Sequence, residues 1–196
     1  MKQTVFENVG LNLLEQIQIA GRVYYRWLFL SAVASTLQCS GHQIDVCFFS
    51  DRGYIPITFD DCSDFLSRHN LKNVPVAARF GYEMLKNGLK VARRFHATHL
   101  DRAEFSTLTL LMFLKGAKEI LPKSREINKQ ISILFREMQD YYQENYSDVP
   151  LRLGTLVLFL NDINKIKQKI HEFALILALS GYNIILPRLL NRYDIC

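Results

Sequence analysis

His96 and His99 stand three residues apart where a helix is predicted to end, and Asp101 follows two residues later. Two imidazoles and a carboxylate on one turn are metal-binding chemistry. A catalytic centre, however, also needs a third fixed donor and an open position, and nothing at ligand spacing supplies them. At a helix C-terminus the same imidazoles meet the free carbonyls of the last turn, and that reading is adopted. A metal enzyme built on His96 and His99 remains as a rival. Cys39, Cys47, Cys62 and Cys196 form no C-x-x-C and no zinc set with histidine. They read as reduced thiols of an intracellular protein. No G-x-S-x-G, glycine-rich phosphate loop or H-E-x-x-H occurs. The expectation is a protein that is not an enzyme and takes no metal or cofactor.

The remaining chemistry is that of binding. Lys86, Lys90, Arg93 and Arg94 form one basic cluster, and Lys115, Lys118, Lys123, Arg125 and Lys129 another. No aromatics interleave with them to stack on bases, so they read as solvated helix faces. A second feature is an uncharged helical run, Trp27 to Leu37, followed by a predicted hairpin. A hairpin lying on such a helix can wall off an apolar cavity, with a few polar groups to orient a ligand. Ser31, Ser35, Thr36 and Gln38 are the polar points on that helix.

The elements that must position these residues follow from periodicity. The 196 residues are 49% hydrophobic and 12% aromatic, which excludes a disordered chain, and 9 Gly with 5 Pro exclude collagen-like order. A net charge of +5 is mild for a nucleic-acid binder. No apolar signal core opens the chain, and Phe173–Pro187, the longest uncharged apolar stretch, is short of the about 20 residues that span a bilayer. No repeat or linker divides the sequence, so residues 1–196 read as a single domain. Apolar residues recur at three and four from about 11 to 38, and the uncharged half predicts a helix covered on more than one face. Ile44–Phe59, with Ser50-Asp51-Arg52-Gly53 at its centre, predicts a β-hairpin with Pro56 on an edge strand. Asp60-Asp61 is expected to cap a short helix. Further helices are predicted over about 76–97, from the capping box Asp101/Glu104 to about 118, from Ser124 to about 145, and from Pro150 for nearly seven turns. The class is all-α with a minor β element.

Read together, these segments resemble the ligand-binding domain of nuclear receptors, particularly the divergent nematode-type receptors. Leu11-x-x-x-Glu15-Gln16-x-x-Ile19 is similar to the family's L-x-x-x-D-Q-x-x-L signature, and Trp27 follows it on the long helix. The hairpin falls where the family places its small β-turn. Leu100-Asp101-Arg102-Ala103-Glu104-Phe105 is similar to the family's L-D-x-x-E-F segment. A later helix leads through Pro150-Leu151-Arg152 into the long terminal helix.

The resemblance implies a helical sandwich with one small β-hairpin, and a buried ion pair between Glu104 and Arg152. It implies a lipid-like ligand, with Trp27, Ser31, Ser35, Phe48, Met84 and Leu177 expected around its pocket. It implies a partner receptor or homodimer through the terminal helix, with Ile163, Ile170 and Phe173 as the expected contacts, and a coregulator that reads the ligand state. Transcriptional regulation in the nucleus follows, with no membrane role. The departures carry expectations too. The chain starts almost at the signature, so the family's first helices are expected to be missing. No zinc DNA-binding module is present, so no direct DNA contact is expected. Leu189-Leu190-Asn191-Arg192-Tyr193 lacks the glutamate of the family's activation helix. A helical protein-interaction module without ligand is the alternative.

Overall fold

The computed structural model describes residues 11–50, 53–69 and 71–181. Among these residues stand six helices and one two-stranded sheet: α1 (Leu13–Gln38), β1 (Val46–Ser50), β2 (Gly53–Pro56), α2 (Phe59–Ser67), α3 (Val74–Ala97), α4 (Arg102–Ile120), α5 (Arg125–Asn145) and α6 (Val149–Leu179). The fold is all-α with a minor sheet. The expected activation-helix segment, Leu189 to Tyr193, lies outside the described residues, as does Cys196.

Side chains start most of the helices. Asn12 and Glu15 exchange two bonds of 2.9 Å at the head of α1. The Asp101 carboxylate accepts from the Glu104 N–H, and the Glu104 carboxylate accepts from the Asp101 N–H, which gives α4 a full capping box. Ser124 caps α5. Asp148 accepts from Leu151 N–H at the head of α6, where Pro150 loses no bond because a first-turn N–H has no partner within the helix.

At α2 the cap differs from expectation. Thr58, in an extended conformation, accepts the Asp61 N–H at 3.0 Å. Asp60 and Asp61 fall inside the first turn, where their charges face the positive end of the helix.

The turn from residue 39 to 45 joins α1 to the hairpin. Ser40 and Asp45 both adopt positive φ there. A Cβ on Gly41 would collide with the Val46 carbonyl oxygen and the Phe48 ring, so only glycine fits. β1 and β2 pair antiparallel, with Phe48 opposite Tyr54, Cys47 opposite Ile55, and an irregularity between Phe48 and Ser50. Pro56 lies opposite Val46 in a two-stranded sheet, where each strand has a free edge.

The described residues divide into two compact units. One takes the chain up to Tyr24 together with Asp101–Leu160. Its centre holds Ile19, Ala117 and Ile127, with Ile120 and Ile131 packed against them. Gly116 lets α4 approach α1 there, since a Cβ on it would strike the Val23 side chain.

The other unit takes Tyr25–Leu100 and the described residues from Asn161 onward. Its core is Cys47, Ile57, Cys62, Leu66, Leu71, Ala77, Ala78, Leu85 and Leu89. Burying each such leucine contributes about 1.5–3 kcal/mol. Lys72 N–H donates to the Ser180 carbonyl at 2.9 Å, and Gly181 takes φ 85° just past the end of α6. The uncharged half of α1 is not covered all round: Trp27 is 45% exposed and Leu28 is exposed beside it, while Phe29, Leu30 and Val33 are buried.

Candidate functional site

Within the second unit, α1, β1, α3 and α6 border a cavity of about 290 Å³ that is partly open to solvent. Trp27, Ser31 and Thr36 line it from α1, Cys47 and Phe49 from β1, Met84, Leu85 and Gly88 from α3, and Ile170 and Phe173 from α6. A neighbouring cavity of about 380 Å³ lies against the hairpin and α2, lined by Tyr54, Ile55, Cys62, Phe65, His69, Gly81 and Leu177 among others. Phe49, Met84, Leu85 and Phe173 border both.

The sequence of α3 shapes this space. Gly81, Met84, Leu85 and Gly88 recur at helical spacing on one face. A Cβ on Gly81 would sit 3.2 Å from the Phe173 ring, and one on Gly88 would sit 3.3 Å from the Phe29 ring. The two glycines leave room for aromatic rings to close on the helix. Thr36 ties the hairpin to α1: its Oγ1 accepts the Phe48 N–H at 3.0 Å and lies 3.8 Å from the Cys47 Sγ.

The lining is apolar, and among the described residues no aspartate, glutamate, lysine or arginine borders either cavity. Burial pushes the Cys47 thiol up, and burial with the neighbouring Asp61 charge pushes Cys62 up to about 11. Both thiols are therefore protonated at neutral pH and are poor nucleophiles. This arrangement can hold a lipophilic molecule by shape and dispersion.

The expected pocket residues divide. Trp27 and Ser31 line the first cavity, Met84 lines both, and Leu177 lines the second. Ser35 and Phe48 line neither. Successive strand residues point to opposite faces, so Phe49 faces the cavities, while the Phe48 ring pairs with Tyr54 at 5.8 Å. Of the three residues expected at a dimer contact, Ile163 is 1% exposed, and Ile170 and Phe173 form cavity wall. Asn161, Lys165, Gln168, Leu175 and Leu179 are exposed on this part of α6.

A second constellation lies in the first unit. Arg152 Nε donates to Glu104 Oε1 and Nη2 to Oε2, both at 2.5 Å, with the two side chains 14% and 1% exposed. The Tyr146 ring lies 4.6 Å from the guanidinium carbon, a cation–π contact. Asp101 accepts from the Tyr141 and Tyr146 hydroxyls at 2.7 Å as well as from the Glu104 N–H. Burial works against the Asp101 charge, but these donors together hold its carboxyl below the usual range. The bond to Asp101 in turn pushes the Tyr141 hydroxyl up to about 12. The pair positions the head of α6 against α4, and neither of the two cavities above is lined by it.

The histidines form no metal centre among the described residues. The His96 ring lies 6.3 Å from His99 and packs closer, at 4.3 Å, on the buried His42. Burial and the neighbouring His96 hold His42 below its usual pKa. Of the first basic cluster, Arg93 pairs with Asp45 at 2.5 Å, Arg94 pairs with Asp162, and the Lys86 ammonium lies 5.3 Å from the centre of the Tyr82 ring. The lysines of the second cluster are exposed, as is Arg125. Among the described residues no helix is long and apolar enough to cross a membrane.

Two comparisons bear on this geometry. Residues 6–179 match the family model described as the ligand-binding domain of nuclear hormone receptor. No curated protein matches the chain.

Proposed function

Since the chain belongs to the family of nuclear hormone receptor ligand-binding domains, we propose that it binds a lipid-like small molecule in the cleft formed by α1, the hairpin, α3 and α6. The family brings a ligand-binding role in transcription regulation and a nuclear setting, and it acts by binding without covalent chemistry. The observation that carries the reading is the pair of adjoining apolar cavities, walled by Phe49, Met84, Leu85 and Phe173. A ligand there stabilises the arrangement of α3 and α6 that fits it and shifts the population toward that arrangement. A coregulator then reads the shift.

The partner reading is a second receptor, or a second copy, docked along α6. It is supported by the exposed row Asn161, Lys165, Gln168, Leu175 and Leu179, which steps by three, four and seven. The same row supports the alternative, an interaction module that works without ligand.

Native mass spectrometry of the purified chain, followed by extraction of anything bound, tests the proposal. The expected result is a stoichiometric adduct of lipid size. A bare mass, with no uptake from a panel of added lipids, would leave the interaction module as the reading.

A further inference from the structure

We infer that His42 and His96 form an acid-released latch: with both rings neutral the stack holds the hairpin against α1 and α3, and a proton on His42 frees it. Such a latch needs no occupant in the cleft.

His42 sits in the turn between α1 and β1, and His96 stands in the last turn of α3. Their rings lie 4.3 Å apart, centre to centre, tilted by 40°. His42 is 6% exposed, and neither of its ring nitrogens has a hydrogen-bond partner among the described residues. An imidazolium there would carry two N–H donors and a charge into a site that provides for neither.

The neighbouring charges add to this. From α3, Arg93 Nε donates to the His42 carbonyl at 2.9 Å, and its Nη2 pairs with Asp45 at 2.5 Å. One guanidinium thus clamps the turn at two points and sets a fixed positive charge near the His42 ring. Asp45, the acid of this turn, is engaged with that guanidinium. His96 is the second titratable group at the ring, and His99 lies beyond it, 6.3 Å from His96. From α1, the Thr36 carbonyl favours the charged ring without meeting a ring nitrogen in hydrogen-bond geometry, and it already accepts the Gly41 N–H at 2.8 Å. Burial first, and His96 after it, hold the ring below its usual value against that carbonyl.

Both strands hang from this turn. The Ile44 and Val46 N–H groups donate to the Gly41 carbonyl, and the Ile57 N–H donates to the Asp45 carbonyl at 2.8 Å. Ser40 and Asp45 hold positive φ within it, a conformation that persists while its surroundings impose it. The hairpin in turn supplies Cys47, Phe49, Tyr54 and Ile55 to the cavity walls. The ring takes a proton more readily once the turn has opened. The closed arrangement is therefore at full strength above about pH 6.5 and weakens as pH falls below it.

Amide hydrogen exchange of the full chain, followed by NMR, tests the latch. After correction for the intrinsic pH dependence of exchange, protection of the Val46, Phe48 and Ile57 N–H groups is expected to fall several-fold from pH 7.5 to 5.5. The ceiling is about tenfold, set by an ordinary histidine value of about 6.5. His42→Phe keeps a ring in place and takes no proton, so this fall should disappear. The wild-type protein carries a second reading that needs no variant to fold: the ring-proton resonances of His42 should titrate with a midpoint below 6.5. His96→Gln should raise that midpoint, because it removes the neighbouring imidazole. Protection that does not change with pH, the same fall in His42→Phe, or a His42 midpoint at or above 6.5 would each overturn the latch. A midpoint unmoved in His96→Gln would overturn the pairing.

Discussion

Arg152 lays two guanidinium nitrogens against the two carboxylate oxygens of Glu104, a fork-to-fork pair spanning 48 residues of sequence. The carboxylate it satisfies is almost wholly buried, and Tyr146 covers the guanidinium face. Such a pair ties two helix beginnings together, because Glu104 is also half of the α4 capping box.

Removing one partner strands the other charge. Arg152→Ala is expected to cost about 3–5 kcal/mol, a melting temperature lower by on the order of 10 °C for a domain of this size. Arg152→Lys keeps the charge and loses the fork, so it should fall between the alanine variant and wild type. Thermal or urea unfolding measures both. An alanine variant that melts with wild type would show that the pair does not hold α4 and α6 together.

The Asp101 cluster makes stability depend on pH at both ends. Asp101 has a folded pKa below its unfolded value of about 3.9, so its contribution is present above about pH 4 and is lost as pH falls through the folded value. Tyr141 is the reverse case. Its pKa rises to about 12 in the fold, so its contribution is present below the unfolded value of about 10 and is lost as pH climbs toward about 12. Asp101→Asn keeps the N-cap and should flatten the acid limb, whereas Tyr141→Phe should flatten the alkaline limb. Urea midpoints taken across pH would show it, and parallel curves for wild type and both variants would count against it.

Gly116→Ala sets two effects in opposition. Alanine favours a helix interior by about 1 kcal/mol over glycine. The new methyl would strike Val23, and overpacking of this kind costs about 1–3 kcal/mol. Net destabilisation is expected, with recovery when Val23→Ala is added. A double-mutant cycle reads the coupling directly, and additive effects would deny the contact.

At α2, Thr58→Ala should destabilise by about 1 kcal/mol through loss of the cap to Asp61 N–H. Asp60→Ala should cost less, since it removes only a charge near the helix end. Urea unfolding of the two variants ranks them, and the opposite order would return the cap to the aspartates.

These contrasts show what the amino-acid sequence makes legible. The boundaries of the helices follow from local chemistry: Asp101 with Glu104, Ser124 and Pro150 each mark a helix start that neighbouring residues alone determine. The choice of Thr58 over Asp60 is also local, but it depends on which residue holds an extended backbone just before the first turn. The faces of the elements are harder to read. Whether Phe48 or Phe49 looks into the cleft is a one-residue question of register, settled by the turn at Gly41 and the bond to Thr36. Ile170 and Phe173 sit on an apolar helix stripe, and a stripe does not say whether it meets a cavity or a partner. The spacing of Gly81 and Gly88 puts them on one helix face but does not say what meets them; their role depends on Phe173 and Phe29, which arrive from elements distant in sequence.

Met84 gives the cleft a property that a list of its walls does not convey. It is the unbranched side chain among the four that border both cavities, and a methionine turns about three single bonds at little cost. A side chain this adaptable at the wall common to both cavities lets that wall change shape without a change of backbone.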